Sequence, residues 1–103
     1  MIARWNFEAR FGYKQEAIKL IKEWNVEIGS QTDIDISTMR IITGSIGAKE
    51  SVVQLEFPIN NLSELDAFFT KIATVKMHAD WGKRMGEVTV SGSTYWETFR
   101  VIK

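Results

Sequence analysis

The sequence predicts an α+β fold in which four strands and two helices follow one another in the order β-α-β-β-α-β. Three observations support this order. The first residues alternate apolar and polar side chains, two later stretches repeat apolar side chains at helical spacing, and short β-branched or aromatic runs fill the remainder. A chain of 103 residues without an internal repeat or a linker has room for one core, so we expect one domain over residues 1–103.

The composition of the chain excludes several classes of function and partner. Thirteen basic and thirteen acidic side chains give a formal charge of zero, so the basic surplus that neutralises phosphates is missing and no nucleic-acid partner is expected. There is no cysteine, which excludes thiolate catalysis and cysteine-ligated metals, and a lone histidine cannot build a protein-ligated metal site. No apolar run approaches the ~20 residues of a membrane span. With no signal-peptide pattern at the N-terminus either, we expect a cytoplasmic protein without a membrane partner.

The first strand and helix are the clearest elements of the pattern. The apolar residues Trp5, Phe7, Ala9 and Phe11 alternate with polar ones, which predicts a strand with one apolar face. From Lys14 onward apolar residues recur every three or four positions, which predicts an amphipathic helix that Gly29 ends.

The middle of the chain reads as a hairpin. Residues 38–46 are β-branched and apolar, Gly47 opens a turn, and a second strand covers residues 52–57. Pro58 ends that strand because it lacks a backbone N–H.

A second helix and a last strand complete the order. Ser63 and Asp66 have the spacing of a capping box, with Leu62 in the position of a hydrophobic staple. We expect the helix to run past His78 and to end at Gly82 or Gly86. The last strand is then expected over residues 87–102, with a bend or bulge at Gly92.

This order is that of the ferredoxin-like arrangement, in which both helices cover one face of a four-stranded antiparallel sheet. We expect the apolar side of the first strand to pack against the helices. The expected residues of the open face are Arg4, Asn6, Glu8, Arg10, Gln54 and Glu56. Adjacent apolar residues in the second and last strands (Ile41 and Ile42, Tyr95 and Trp96) indicate that both faces are partly buried. A second copy of the chain would cover the open face, so we expect a homodimer.

Two stretches, residues 53–69 with residues 78–81 and Ser91-Gly92-Ser93 through Arg100, resemble the dimeric α+β barrel superfamily. That superfamily includes antibiotic-biosynthesis-type monooxygenases, NIPSNAP-like proteins and stress-responsive barrel proteins. The resemblance implies that two sheets close face to face around an internal cavity. Each protomer's share of that cavity would be lined by Arg4, Asn6, Glu8, Gln54 and Glu56.

Arg4, Glu8 and Glu56 are the candidate catalytic residues. With Arg10 they would orient a polar or anionic small molecule, because arginine offers a planar fork of donors and a neighbouring carboxylate can act as a base. The alternative is a set of cross-strand salt bridges.

The candidate ligand-binding residues are Asn6, Arg10, Gln54, His78 and Trp96. Trp96, with Tyr95 and Trp81, would stack on a flat substrate or anchor the core or the dimer interface instead.

His78 is the only histidine and could serve as one axial haem ligand. The haem-degrading monooxygenases of the superfamily use an asparagine on the first strand, a tryptophan on the second helix and a histidine further along it. Asn6 and His78 are in matching places here, but Phe68 replaces the tryptophan. The alternative is that His78 is an ordinary residue at a helix end.

Two functional classes stay open at this level, with haem binding as a third. The first is a cofactor-free monooxygenase or isomerase acting on an aromatic or polyketide-like substrate. The second is a non-catalytic, small-molecule-binding or stress-related dimer. An open pocket holding a perturbed acid or base would favour the enzyme.

Overall fold

Four strands and three helices make up the fold, and a computed structural model describes all 103 residues. The strands are β1 (Ile2–Glu8), β2 (Arg40–Thr43), β3 (Val52–Pro58) and β4 (Tyr95–Phe99). The helices are α1 (Lys14–Glu27), α2 (Leu62–Ala73) and α3 (Lys76–Val88), and two short 3₁₀ turns lie between α1 and β2. None of these helices has the length and apolarity to cross a bilayer.

The strands form one antiparallel sheet in the order β2-β3-β1-β4, which confirms the predicted ferredoxin-like fold. The seven-residue strands β1 and β3 lie in its centre. All three helices pack on the same face, because their apolar residues share one buried cluster with Ala3, Phe7, Val53 and Phe57.

The side chains of β1 lie on the faces of the sheet that the alternation predicted, except for the residues after Glu8. Ala3 and Phe7 are buried beneath the helices, while Arg4 and Glu8 lie on the opposite face. Phe11, expected in the core, is fully exposed. The strand ends at Glu8, and the chain then turns toward α1, with the backbone N–H of residue 13 donating to the carbonyl of residue 10.

The expected second helix is two helices. α2 ends at Ala73, and α3 begins at Lys76 after Val75, whose extended backbone (φ −87°, ψ 112°) breaks the helical path. Gly82 and Gly86, the expected helix ends, therefore lie inside α3. At this break Val75 is buried in the core.

The two outer strands are shorter than expected. β2 covers only residues 40–43, and Ile46 is fully exposed in the hairpin that follows. Residues 87 and 88 belong to α3, and β4 starts at Tyr95 after a turn in which Gly92 adopts φ 79°. That left-handed conformation favours glycine, as expected for a bend.

The N-terminus of α2 is capped two residues earlier than predicted. The backbone N–H of Glu64 donates to Oδ1 of Asn61 at 3.0 Å, and the Glu64 carboxylate accepts from the backbone N–H of Asn60. The expected cap at Ser63 is therefore wrong, and Leu62 is largely exposed rather than acting as a staple.

Replacement of Asn61 by alanine is expected to lower the free energy of unfolding by about 1 kcal/mol, since an orphan N–H of the first turn loses its acceptor. Ser63→Ala is the matched control and is expected to change it by less than about 0.5 kcal/mol. Urea denaturation of both variants measures the difference, and a larger loss in Ser63→Ala would contradict this capping assignment.

Candidate functional site

A cavity of about 240 Å³ lies between the helices and the sheet. Eleven residues line it, nine of them hydrophobic: Trp5, Ile21, Trp24, Leu55, Phe68, Phe69, Ile72, His78, Trp81, Gly82 and Trp96. All four tryptophans of the chain are among them. This cavity lies on the helix side of the sheet. The cavity expected between the sheets of two copies is a different one and stays a prediction.

The strands supply one wall of the cavity as a cross-strand row. Trp5 on β1 pairs with Leu55 on β3 and with Trp96 on β4, so the three side chains point to the same face. Phe69 on α2 packs edge-on against Trp96, with ring centroids 5.0 Å apart. The ring centroids of Trp81, on α3, and Trp5 are 6.0 Å apart. Aromatic rings from strands and helices thus enclose the space together.

His78, in the first turn of α3, is the only titratable residue of the lining. The indole Nε1–H of Trp24 donates to His78 Nδ1 at 3.1 Å, and the imidazole stacks on Trp81 with an interplanar angle of 20°. Because Nδ1 accepts, the proton of the neutral ring is on Nε2. Burial lowers the pKa of His78 below its usual 6.5, so the imidazole is neutral at pH 7.

Gly82 is the only exposed residue among those that line the cavity, and we infer that the cavity opens to solvent beside it. A Cβ atom added to it would have no other atom within 4 Å. A larger side chain at this position of α3 has free space in which to lie across the mouth.

The open face of the sheet has a second cluster, which we call the charged row: Arg40, Glu56, Arg4 and Glu97 lie side by side across the four strands. Nη2 of Arg4 is 2.7 Å from the buried Glu56 carboxylate, and Arg40 binds its other oxygen. Burial alone would raise the pKa of Glu56, but the hydrogen bonds and charges of Arg4 and Arg40 outweigh it and hold that pKa below 4.5. A carboxylate bound in this way favours the salt-bridge interpretation over a general base.

Asn6 and Gln54 form the next row of this face. Gln54 Nε2 donates to Asn6 Oδ1 at 2.7 Å, and Asn6 Nδ2 donates to Glu97 Oε1 at 2.8 Å. Asn6 is only 2% exposed within the single chain, so its amide is already occupied by intramolecular partners. Arg40 and Glu97 did not appear among the predicted site residues, because only the strand register shows that they are neighbours of Glu56 and Asn6.

Glu8 is the last residue of β1, and Arg10 lies two residues beyond it. The Glu8 carboxylate accepts from Ser51 Oγ at 3.1 Å, and Arg10 Nε donates to the Thr89 carbonyl at 3.1 Å. Arg10 is exposed and takes no part in either cluster.

The predicted site residues thus separate onto opposite faces of the sheet. His78 and Trp96 line the cavity, whereas Arg4, Asn6, Gln54 and Glu56 form the polar network of the open face. Asn6 and His78, the two residues in matching places with the haem-degrading enzymes, lie on opposite faces of the sheet. The cause is the alternation of β1, which turns Asn6 away from the helices and Trp5 toward them.

The fold is similar to those of several solved structures. A NIPSNAP family protein from Agrobacterium tumefaciens superposes with a TM-score of 0.72 at 18% identity, over 93% of this chain and 87% of that one. A NIPSNAP domain protein from Burkholderia xenovorans gives 0.68 at 10% identity, over 99% and 96%. A candidate antibiotic biosynthesis monooxygenase from Chloroflexus aurantiacus gives 0.55 at 6% identity, over 100% and 97%.

These likenesses confirm the fold implied by the resemblance seen in the sequence. At 18% identity or less they concern the fold alone. No protein-family model matches the sequence, and the comparison with curated proteins found no match either.

The burial of neutral His78 predicts a pH dependence of stability. The unfolded imidazole titrates near 6.5 and the folded one lower, so the unfolded state binds more protons between these values. Stability is therefore complete above the unfolded pKa and is lost as the pH falls through it toward the folded pKa. Because the ring is only half-buried, the slope is a fraction of the roughly 1.4 kcal/mol per pH unit that one whole proton gives.

The variant His78→Asn keeps an acceptor near Trp24 but does not titrate. Its free energy of unfolding is expected to change less than that of the wild type when denaturation is measured between about pH 7.5 and 5.5. Equal slopes for the two proteins would show that His78 is not held neutral by the fold.

Proposed function

We propose that this protein is a homodimer that binds a small aromatic molecule between the helices and the sheet of each subunit. The observation that carries this proposal is the cavity whose walls include all four tryptophans and one neutral histidine. Binding sites for small molecules are typically apolar and aromatic, with a few polar groups that fix orientation. This cavity has that composition.

The size of the cavity supports a ligand of one or two rings. A protein cavity of roughly 150 Å³ accommodates benzene. At about 240 Å³, with an open mouth beside Gly82, this cavity has room for one ring with a substituent or for two fused rings.

The cavity does not fit haem. A four-ring macrocycle exceeds a volume that suits one or two rings. Iron bound at Nε2 of His78 would also require the proton on Nδ1, where it would point at the N–H of Trp24. Two donors would then face each other.

The open face supports the homodimer. Helices cover only the other side of the sheet, and apolar side chains of Ile2, Ile42, Val52, Tyr95 and Phe99 surround the charged row. Tyr95 is 56% exposed and Phe99 39%. The charged row contains two arginines and two glutamates, so a second copy meets no net like charge. Two-fold association of identical faces is the commonest way to bury such a surface.

An enzyme of the cofactor-free monooxygenase or isomerase type is the second candidate, favoured by the lowered pKa that keeps His78 unprotonated, as a general base must be. Catalysis in the cavity would depend on His78 alone, because Arg4, Glu8 and Glu56 lie across the sheet. Its lone pair at Nδ1 is already taken by Trp24. Binding without chemistry is therefore the better-supported role.

The cavity proposal is tested with the apolar probe α-methylstyrene, followed by NMR through the indole N–H signals of the tryptophans. Since all four tryptophans line the cavity, all four signals are expected to shift on titration. Gly82→Leu, which closes the mouth, is expected to weaken binding by about tenfold or more.

Gly86→Leu is the matched control, because Gly86 lies one turn further along α3 in equally open space but outside the lining. It is expected to bind the probe as the wild type does. Binding that survives Gly82→Leu unchanged, or the absence of any indole shift in the wild type, would overturn the cavity proposal.

The homodimer is tested by placing a charge on the open face. Tyr95→Asp is expected to convert a dimer into a monomer at micromolar concentration, because an aspartate there would be buried against the partner without a counter-ion. Sedimentation equilibrium measures the mass. Tyr13→Asp, at a tyrosine of similar exposure (51%) outside the sheet, is the control that should stay dimeric. A monomeric wild-type protein would contradict the proposal.

A further inference from the structure

The imidazole of His78 has one nitrogen left for a ligand. Nδ1 is engaged by Trp24 at 3.1 Å, whereas Nε2 makes no hydrogen bond to the protein. Nε2 is also absent from the buried polar atoms that lack a partner, among which only the Asn25 side-chain oxygen is found. Nε2 is therefore accessible, on a residue that lines the cavity.

Trp24 determines what this free nitrogen offers. An indole N–H can only donate, so the nitrogen that faces it must hold the lone pair. The neutral ring then has its proton on Nε2, so His78 carries an accessible N–H donor on a residue of the cavity lining. Stacking on Trp81 fixes the plane of the ring and hence the direction of this N–H.

The other side chains of the lining add no free acceptor. Tryptophan side chains are donors only, and the N–H of Trp81 is already used by the carbonyl of Leu20 at 2.7 Å. The remaining lining residues are apolar or glycine. A ligand with its own O–H or N–H buried here would leave that donor without a partner, which weakens binding.

We propose that the ligand is a small aromatic carbonyl compound whose oxygen accepts a hydrogen bond from Nε2–H of His78, with Trp24 as the positioning residue. This inference rests on the proposed binding function of the cavity and adds the chemical class of its ligand. The cavity selects acceptor-bearing rings over donor-bearing rings of the same shape.

The test uses probe pairs that differ in one group. Acetophenone and α-methylstyrene have the same shape, with a carbonyl oxygen in one and a methylene in the other. The ratio of their affinities, acetophenone over α-methylstyrene, is expected to fall about tenfold in His78→Phe, which loses the donor but keeps a ring. His78→Leu, which also has no donor, is expected to show the same fall and serves if His78→Phe does not fold.

The role of Trp24 is tested separately. NMR of the imidazole nitrogens is expected to show the proton on Nε2 in the wild type and a mixture of tautomers in Trp24→Phe. The affinity ratio of indole over indene, a donor and its apolar isostere, is expected to rise in Trp24→Phe, because Nε2 can then present a lone pair. A merely structural role for Trp24 would change neither the tautomer nor this ratio.

The outcomes separate the two proposals. If both probes of the first pair bind and their ratio is unchanged in the His78 variants, the ligand class is wrong while the cavity remains a binding site. A proton found on Nδ1 in the wild type would also overturn the ligand class. If neither probe shifts the indole signals, the proposed binding function fails as well.

Discussion

Strand β1 lies between β3 and β4, and its alternation assigns each neighbouring side chain to one of two chemically different faces. Trp5, with its partners Leu55 and Trp96, faces the helices and forms the sheet wall of the cavity. Arg4, one residue earlier, faces away and binds Glu56. A slip of one residue in the pairing would exchange these two sets, so the register of the sheet fixes both the aromatic cavity and the charged row.

The two faces satisfy their polar groups in different ways. On the open face, Glu56 is bound by arginines on both sides, and Asn6 exchanges hydrogen bonds with Gln54 and Glu97. These groups are complete within one chain, so a second copy need not supply partners for them. On the helix face, Nε2 of His78 makes no hydrogen bond within the chain, and His78 lines an apolar cavity. In such surroundings a single hydrogen bond to a ligand would fix the orientation of that ligand.

The sequence was sufficient to predict the order of strands, the first helix and the two faces of β1, because each depends on local periodicity. The break at Val75 could not be predicted, since no proline or glycine marks it and the apolar spacing continues from α2 into α3. The cap at Asn61 was missed because Ser63 offered a similar spacing of polar residues. The position of the cavity, and the neighbours Arg40 and Glu97, depend on packing and register, which periodicity alone does not contain.

The most direct test of the proposed cavity and dimer is a crystal structure of the protein, crystallised in the presence of α-methylstyrene. We expect two copies of the chain with their sheets face to face, and probe density in each subunit between the row of Leu55, Trp5 and Trp96 and the ring of Trp81. Probe density between the sheets beside Arg4 and Glu56, with the aromatic cavity empty, would contradict the account.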